Sequence, residues 1–150
     1  MKKIILSIAF FMMLLTSYSQ WSYRTVNNGF DDPYRIAYTA RSNGAILKLE
    51  KVEDRISFYI TGEYYCEEYP VVDLVFIVNG QELKFYSESH TSSDNDAVFI
   101  MDDILTSNLL DPFKSCSLIR VRVNESYCST KTYSFNMKGS SAALNYIKSE

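Results

Sequence analysis

The chain has a single histidine, His90, among 150 residues. Any Ser/His/Asp or Cys/His scheme must therefore use it. It sits in Ser87-Glu88-Ser89-His90-Thr91-Ser92-Ser93, the most loop-like stretch of the sequence, where a solvated side chain is expected rather than a catalytic one. Cysteine is also scarce. The three cysteines are scattered, with no Cys-x-x-Cys and no His-x-x-x-His spacing, so no zinc site is expected. A basic excess is missing as well: 15 Lys and Arg stand against 18 Asp and Glu, for a net charge of −3. Phosphate-backbone binding requires the opposite balance, so nucleic acid is excluded as a partner. No basic amphipathic helix is visible that would hold the chain on an anionic membrane surface.

A long hydrophobic run is lacking too, and what stands in its place is informative. Lys2 and Lys3 precede an apolar stretch from Ile4 to Leu15, broken only by Ser7. That stretch is shorter than the about 20 residues a membrane-spanning helix needs. Ser17-Tyr18-Ser19 then places small residues around a larger one, as signal peptidase requires. Residues 1–19 therefore read as a cleavable signal peptide, with cleavage between Ser19 and Gln20. The mature chain is expected to be secreted or periplasmic, with no membrane insertion after cleavage. No cysteine follows the apolar run closely enough for lipid attachment, the nearest being Cys66. Loss of Lys2 and Lys3 takes the net charge from −3 to −5. Residues 20–150 are long enough for one domain with a core of its own.

What is abundant is aromatic: 12 Tyr, 9 Phe and 1 Trp. Tyrosine suits strands, where it packs on a half-exposed face, and it suits recognition surfaces, where it offers apolar area with a polar tip. The strand role is the first expectation. In an oxidising compartment two of the three cysteines should pair. Tyr65-Cys66 and Tyr127-Cys128 have similar settings near the ends of strand-like runs, which favours Cys66–Cys128. A tight hairpin at Asn124–Ser126 would set Val123 against Tyr127 and leave Cys116 far from Cys128. Cys116 then remains free, as a small buried apolar residue.

Alternation of apolar and polar residues marks the strands. Residues 22–28 form a first strand, Asp31-Asp32-Pro33 a turn, and residues 34–41 a second strand. Asn43-Gly44 turns the chain into a return strand that reaches about Val52. Ile56, Phe58 and Ile60 face one side of a strand over 55–61. The strongest local signal is Val71 to Val78, then Asn79-Gly80, then Gln81 to Tyr86. Asn-Gly suits a type I′ turn, which sets Phe76 against Leu83 and Leu74 against Phe85 on a core face. Ile77 then meets Glu82, Val75 meets Lys84 and Asp73 meets Tyr86 on a mixed face. Residues 87–96 read as a polar loop and 97–101 as a short strand. Asp102 or Asp103 caps a short helix near 103–111 that carries Ile104, Leu105, Leu109 and Leu110 and stops at Pro112. Residues 117–123 and 131–137 are further strands, and Gly139-Ser140-Ser141 caps a C-terminal helix. The expected fold is mainly β, an antiparallel β-sandwich of about eight or nine strands with two short helices.

The order of these features resembles a family. Trp21 follows the leader, Asp31 and Asp32 mark a turn, and Phe113-Lys114 precedes the strand Ile119 to Arg122. An aromatic strand then leads to Gly139-Ser140 and a helix with Ala143. Across roughly residues 21–147 this layout resembles small exported bacterial β-sandwich proteins, the TagO (VasI) type VI secretion accessory proteins among them. The resemblance implies an accessory role in the envelope or outside the cell, no cofactor and no catalytic residue.

Asp94-Asn95-Asp96 followed by Asp102-Asp103 invites a calcium hypothesis. The EF-hand pattern is absent, however, with Phe99 at the sixth position where glycine belongs, so solvated acidic loops are expected. Glycoside hydrolysis by paired carboxylates depends on a spatial separation, and among 18 acidic residues the sequence singles out no pair. The best candidate recognition surface is Tyr64, Tyr65, Glu67, Glu68 and Tyr69 around Cys66, where clustered tyrosines meet carboxylates on a disulfide-tied loop. The sequence thus leads to a non-enzymatic exported protein that binds an unidentified protein or glycan. A carboxylate-dependent hydrolase and a structural secretion-system accessory are the competing readings.

Overall fold

Two Asn-Gly pairs organise the two sheets. Asn43 and Gly44 have φ of 48° and 90°, and Asn79 and Gly80 have φ of 51° and 79°. These are the paired positive values that a type I′ hairpin needs. A computed structural model describes residues 21–27, 29, 32–39, 42–52, 55–101 and 109–149. Residues 1–19, expected to be a leader, the Ser19–Gln20 junction, Asp31 and residues 102–108 lie outside the described residues.

Among the described residues there are ten strands and two helices. The strands are β1 (Trp21–Val26), β2 (Tyr34–Thr39), β3 (Ile46–Val52), β4 (Arg55–Thr61), β5 (Val71–Val78), β6 (Gln81–Glu88), β7 (His90–Thr91), β8 (Ala97–Met101), β9 (Leu118–Asn124) and β10 (Lys131–Asn136). The helices are α1 (Leu110–Ser115) and α2 (Ser140–Lys148). One sheet has the order β1-β2-β3-β4-β8-β7 and the other β10-β9-β5-β6, and every described pairing is antiparallel. The fold is mainly β, with two sheets enclosing one core. The two-residue β7 lies in the stretch that reads as a polar loop, since so short a strand shows no alternation.

The β5–β6 register is the one the Asn-Gly turn dictates: Phe76 opposes Leu83, Leu74 opposes Phe85, and Asp73 opposes Tyr86. Val72, Leu74 and Phe76 are fully buried, and so are Ile119, Val121 and Val123 of β9. Leu83 is more exposed than a core face implies, because β6 lies at the sheet edge. The opposing layer supplies Leu47, Leu49, Ile56, Phe58 and Ile60 to the same core. Burying such side chains contributes about 1.5–3 kcal/mol each, before the entropy of ordering them is subtracted.

Three local expectations are corrected. Val123 pairs with Lys131, not Tyr127, so the β9–β10 connection is a six-residue loop over 125–130 rather than a tight turn. Pro112 does not stop a helix. It occupies the first turn of α1, where a missing N–H costs nothing. Residues 103–108 of the expected helix lie outside the described residues; Phe113 of α1 enters the core edge-on to Trp21 and Phe58, with ring centroids 6.2 and 5.4 Å apart. Finally, Ser140 and Ser141 do not cap α2. Gly139 holds the N-cap position at φ 95°, and the two hydroxyls reach across to α1. Ser140 Oγ donates to the Phe113 carbonyl at 2.8 Å and Ser141 Oγ to that of Lys114 at 2.9 Å. Carbonyls that the end of a short helix leaves without partners are thereby satisfied.

Candidate functional site

β5 begins and β9 ends at the same end of the four-stranded sheet, where Val71 is paired with Asn124. The connections that enter and leave there, residues 62–70 and 125–130, meet through the Cys66–Cys128 disulfide, whose Cα atoms are 6.5 Å apart. Cys116 is the free cysteine among the described residues and is buried. Burial pushes its thiol up to about 12. It therefore lacks the thiolate character of a nucleophile.

A carboxylate organises this end. Glu125 is buried, and its Oε1 accepts from the N–H groups of Cys66 at 2.5 Å and Glu67 at 3.3 Å. Its Oε2 takes an ion pair from Lys131. The Lys131 ammonium also lies 4.8 Å from the centre of the Tyr65 ring, a cation–π contact. Glu67 returns the bracing: its carboxylate accepts from the Ser126 N–H and, at 3.1 Å, from Ser126 Oγ. On the other side, the Tyr65 N–H donates to the Asn95 carbonyl at 2.8 Å, and the Thr91 N–H donates to the Glu68 carbonyl at 2.9 Å. The 62–70 connection is thus fastened to two neighbouring segments by its backbone as well as by its disulfide.

The five residues singled out in the sequence divide by role. Tyr65 is fully buried, and its hydroxyl donates to Tyr133 Oη at 3.3 Å. It cannot be part of a surface; burial first, and the Tyr133 hydrogen bond next, raise its phenol well above the usual range. In this irregular connection Tyr64 is exposed while its neighbour is buried against the core. Glu67 is a brace. Tyr64 and Tyr69 are 66% and 67% exposed, and Glu68 hydrogen-bonds the Tyr69 phenol and raises it. Tyr127, on the facing loop, is 88% exposed and completes the group. Sequence reasoning did not single out Tyr127 as a surface residue or Glu125 as a brace. Both lie beside Cys128, and the predicted disulfide was the signal that could have joined them to the 64–69 segment.

His90 is not in a loop. It lies on β7, opposite Phe99, with the two rings stacked at 5.0 Å. Phe99 in turn meets Tyr59, over whose ring Lys48 lies, so four strands of the larger sheet carry a row of ring contacts on one face. The Tyr59 hydroxyl donates to Glu50 Oε2 at 2.6 Å. In the acidic turn, Asp96 accepts from Ser92 Oγ at 3.0 Å, while its carbonyl accepts from Gly62 N–H and Thr61 Oγ1. The turn thereby braces the neighbouring connection, and no group of metal-ligating side chains occurs among the described residues. Asp102 and Asp103 lie outside those residues.

On the outer face of the four-stranded sheet there is an open depression of about 290 Å³. Its floor is Val75, which is paired with Lys84 on one side and Arg120 on the other. The next rung carries Tyr86, Asp73 and Arg122. Arg120 Nη1 is 3.1 Å from Glu82, and Arg122 Nη1 is 3.6 Å from Asp73.

Among the described residues no helix is long and apolar enough to cross a membrane. No protein-family model matches the chain, and neither a curated protein nor a solved structure matches it.

Proposed function

We propose that the protein is an exported binding or accessory protein of the bacterial envelope or extracellular space, acting through its disulfide-tied end. The observation that carries this reading is the combination of exposed Tyr64, Tyr69 and Tyr127 with a base immobilised by one disulfide and the buried Glu125. Exposed tyrosines on a rigid support lose little conformational entropy on binding, which is how a small surface acquires affinity. A disulfide joining two surface connections fits an oxidising compartment, as does the leader pattern in residues 1–19. The resemblance to TagO-type accessory proteins is one form of the same reading, in which the partner belongs to a secretion apparatus.

The test is cross-linking capture from envelope extracts with the oxidised mature chain and with a Tyr64→Ser/Tyr69→Ser/Tyr127→Ser variant. A partner band retained by the natural chain and lost by the variant is expected. Equal capture by both would remove the tyrosines from the function. Export is checked separately by N-terminal sequencing of the exported material, which should start at Gln20; Met1 retained in a membrane pellet would overturn it.

A further inference from the structure

The strands β1, β7, β10 and β6 stand at the edges of the two sheets, and the chain closes two of these edges itself. On β7 the Thr91 N–H donates to the Glu68 carbonyl at 2.9 Å. On β10 the Ser134 N–H donates to Ser42 Oγ at 3.1 Å, and the Thr132 carbonyl accepts from Asn43 Nδ2 at 3.3 Å. β6 has no such cover. Its register with β5 starts at the Val78–Gln81 pair, next to a two-residue turn, so Gln81, Leu83 and Phe85 bond inward to β5. The N–H and C=O groups of Glu82, Lys84 and Tyr86 then point away from the sheet. Among the described residues no group is bonded to them. An open row of this kind is a template for a further strand.

The side chains along this row are complementary to one another. Leu83 lies on the core face yet is 38% exposed, because no strand flanks it. On the outer face Glu82 and Lys84 carry opposite charges two positions apart. Let two copies of β6 meet antiparallel about a twofold axis at Leu83. Each Leu83 then opposes that of the second copy, and each Glu82 opposes Lys84 of the second copy. Both Glu82–Lys84 rungs exchange backbone hydrogen bonds through the groups left open on β6. The side chains have capacity for this. Glu82 accepts from Arg120 at 3.1 Å, and a carboxylate has room for further donors. Lys84 stands 3.7 Å from Glu82 of its own chain, beyond hydrogen-bond distance.

Charge and side-chain parity select this register. A slip of one residue would set core-face side chains against outer-face ones. The next permitted register is centred on Lys84 and places two ammonium groups opposite each other. A register centred on Phe85 draws on the far end of β6, where Ser87 Oγ donates to the Ile100 carbonyl at 2.6 Å and ties the strand to the other sheet. β1, also at an edge, has Arg24 as its one charge and cannot complement itself. A second copy of β6 supplies both charges and an apolar cover for Leu83 together, which an unrelated strand has no reason to do. The contact is one strand wide, so association is expected to be weak and concentration-dependent.

We propose that β6 is a self-association edge, at which two copies of the chain pair antiparallel through Glu82, Leu83 and Lys84 and join their four-stranded sheets into one. The experiment is sedimentation equilibrium of the oxidised mature chain over a concentration series, where a monomer–dimer equilibrium is expected. Glu82→Lys alone and Lys84→Glu alone each set like charges across the axis and should weaken the dimer about tenfold. Mixing the two variants restores opposite charges on both rungs and should recover it. Both side chains are exposed, and circular dichroism checks that each variant folds. Under mild oxidant Leu83→Cys should form a disulfide-linked dimer while Lys84→Cys and Phe85→Cys do not, since residue 83 alone lies on the axis. On the natural chain, hydrogen exchange at the Glu82 and Lys84 amides should slow as concentration rises. A monomer with these amides unprotected would overturn the proposal and leave the edge to another protein's strand. Protection independent of concentration would overturn it by showing that the chain covers its own edge. A mixture that fails to recover the dimer, or cross-linking through Lys84→Cys instead, would overturn it as well. The Tyr64/Tyr69/Tyr127 variant should dimerise as the natural chain does, so failure of this edge and failure of the tyrosine end are distinguishable.

Discussion

The four-stranded sheet closes differently at its two ends. At one end Asn79-Gly80 reverses the chain in two residues, and a Cβ added at Gly80 would meet nothing within 4 Å. At the other, two connections from distant parts of the chain are joined by a disulfide, a buried carboxylate and several backbone hydrogen bonds. The cysteines follow the same division. Cys116 is reduced and buried beside α1, near the plain end, while Cys66 and Cys128 are joined at the braced end. The comparison teaches that local turn chemistry is enough to set a register, and that the extra bracing goes to the end that displays exposed tyrosines.

Breaking the braced end should cost most. The disulfide spans 62 residues, and chain entropy gives it about 4 kcal/mol. Cys66→Ser/Cys128→Ser should therefore lower the urea midpoint further than any substitution at the plain end. Glu125→Ala strands the Lys131 ammonium and two backbone N–H groups, for about 3 kcal/mol. A loss below about 1 kcal/mol would mean that water replaces the carboxylate and that the bracing is weak.

The plain end should respond less. Gly80→Ala places a side chain at φ 79° and should cost about 1 kcal/mol, read from the same denaturation curves. Alkali provides a second probe of similar size. The Cys116 thiol is raised by burial, from 9.0 to about 12, so its contribution is intact below pH 9 and is lost as pH rises toward 12. By pH 10 the loss should reach about 1 kcal/mol, and Cys116→Ala should flatten that part of the stability curve. The buried phenols of Tyr59 and Tyr65 are raised in the same direction and add to the fall above pH 10. Smallest of all, Tyr127→Ser should change stability by less than about 0.5 kcal/mol, because its side chain is exposed, while reducing capture of a partner.

Legibility in the sequence follows the same division. The β5–β6 register could be read residue by residue, because an Asn-Gly turn and period-two alternation each fix it independently. The sandwich, the C-terminal helix and the Cys66–Cys128 bond were legible too. Glu125 was not: within Asn124-Glu125-Ser126 it reads as one more turn residue, and only the approach of Cys66, 59 positions earlier, makes it a buried acceptor. Tyr65 escapes a sequence reading for a related reason, since a polar-aromatic connection has no period that separates its inner from its outer side chains. His90 and Phe99 likewise meet only when two short strands pair.

The C-terminal helix has one more consequence, for the order of assembly. α2 packs against β1, β2 and β3, the first strands of the chain. Arg35 of β2 hydrogen-bonds the Tyr146 and Ser149 carbonyls, and Thr25 of β1 meets the Tyr146 hydroxyl at 3.2 Å. Ser140 and Ser141 fasten the same helix to α1. A chain that emerges amino end first therefore presents three strands whose cover is made only after all ten described strands. Until residue 149 is released those strands remain uncovered, and a truncation before Ser140 should leave a sticky, incompletely folded species rather than a smaller stable protein.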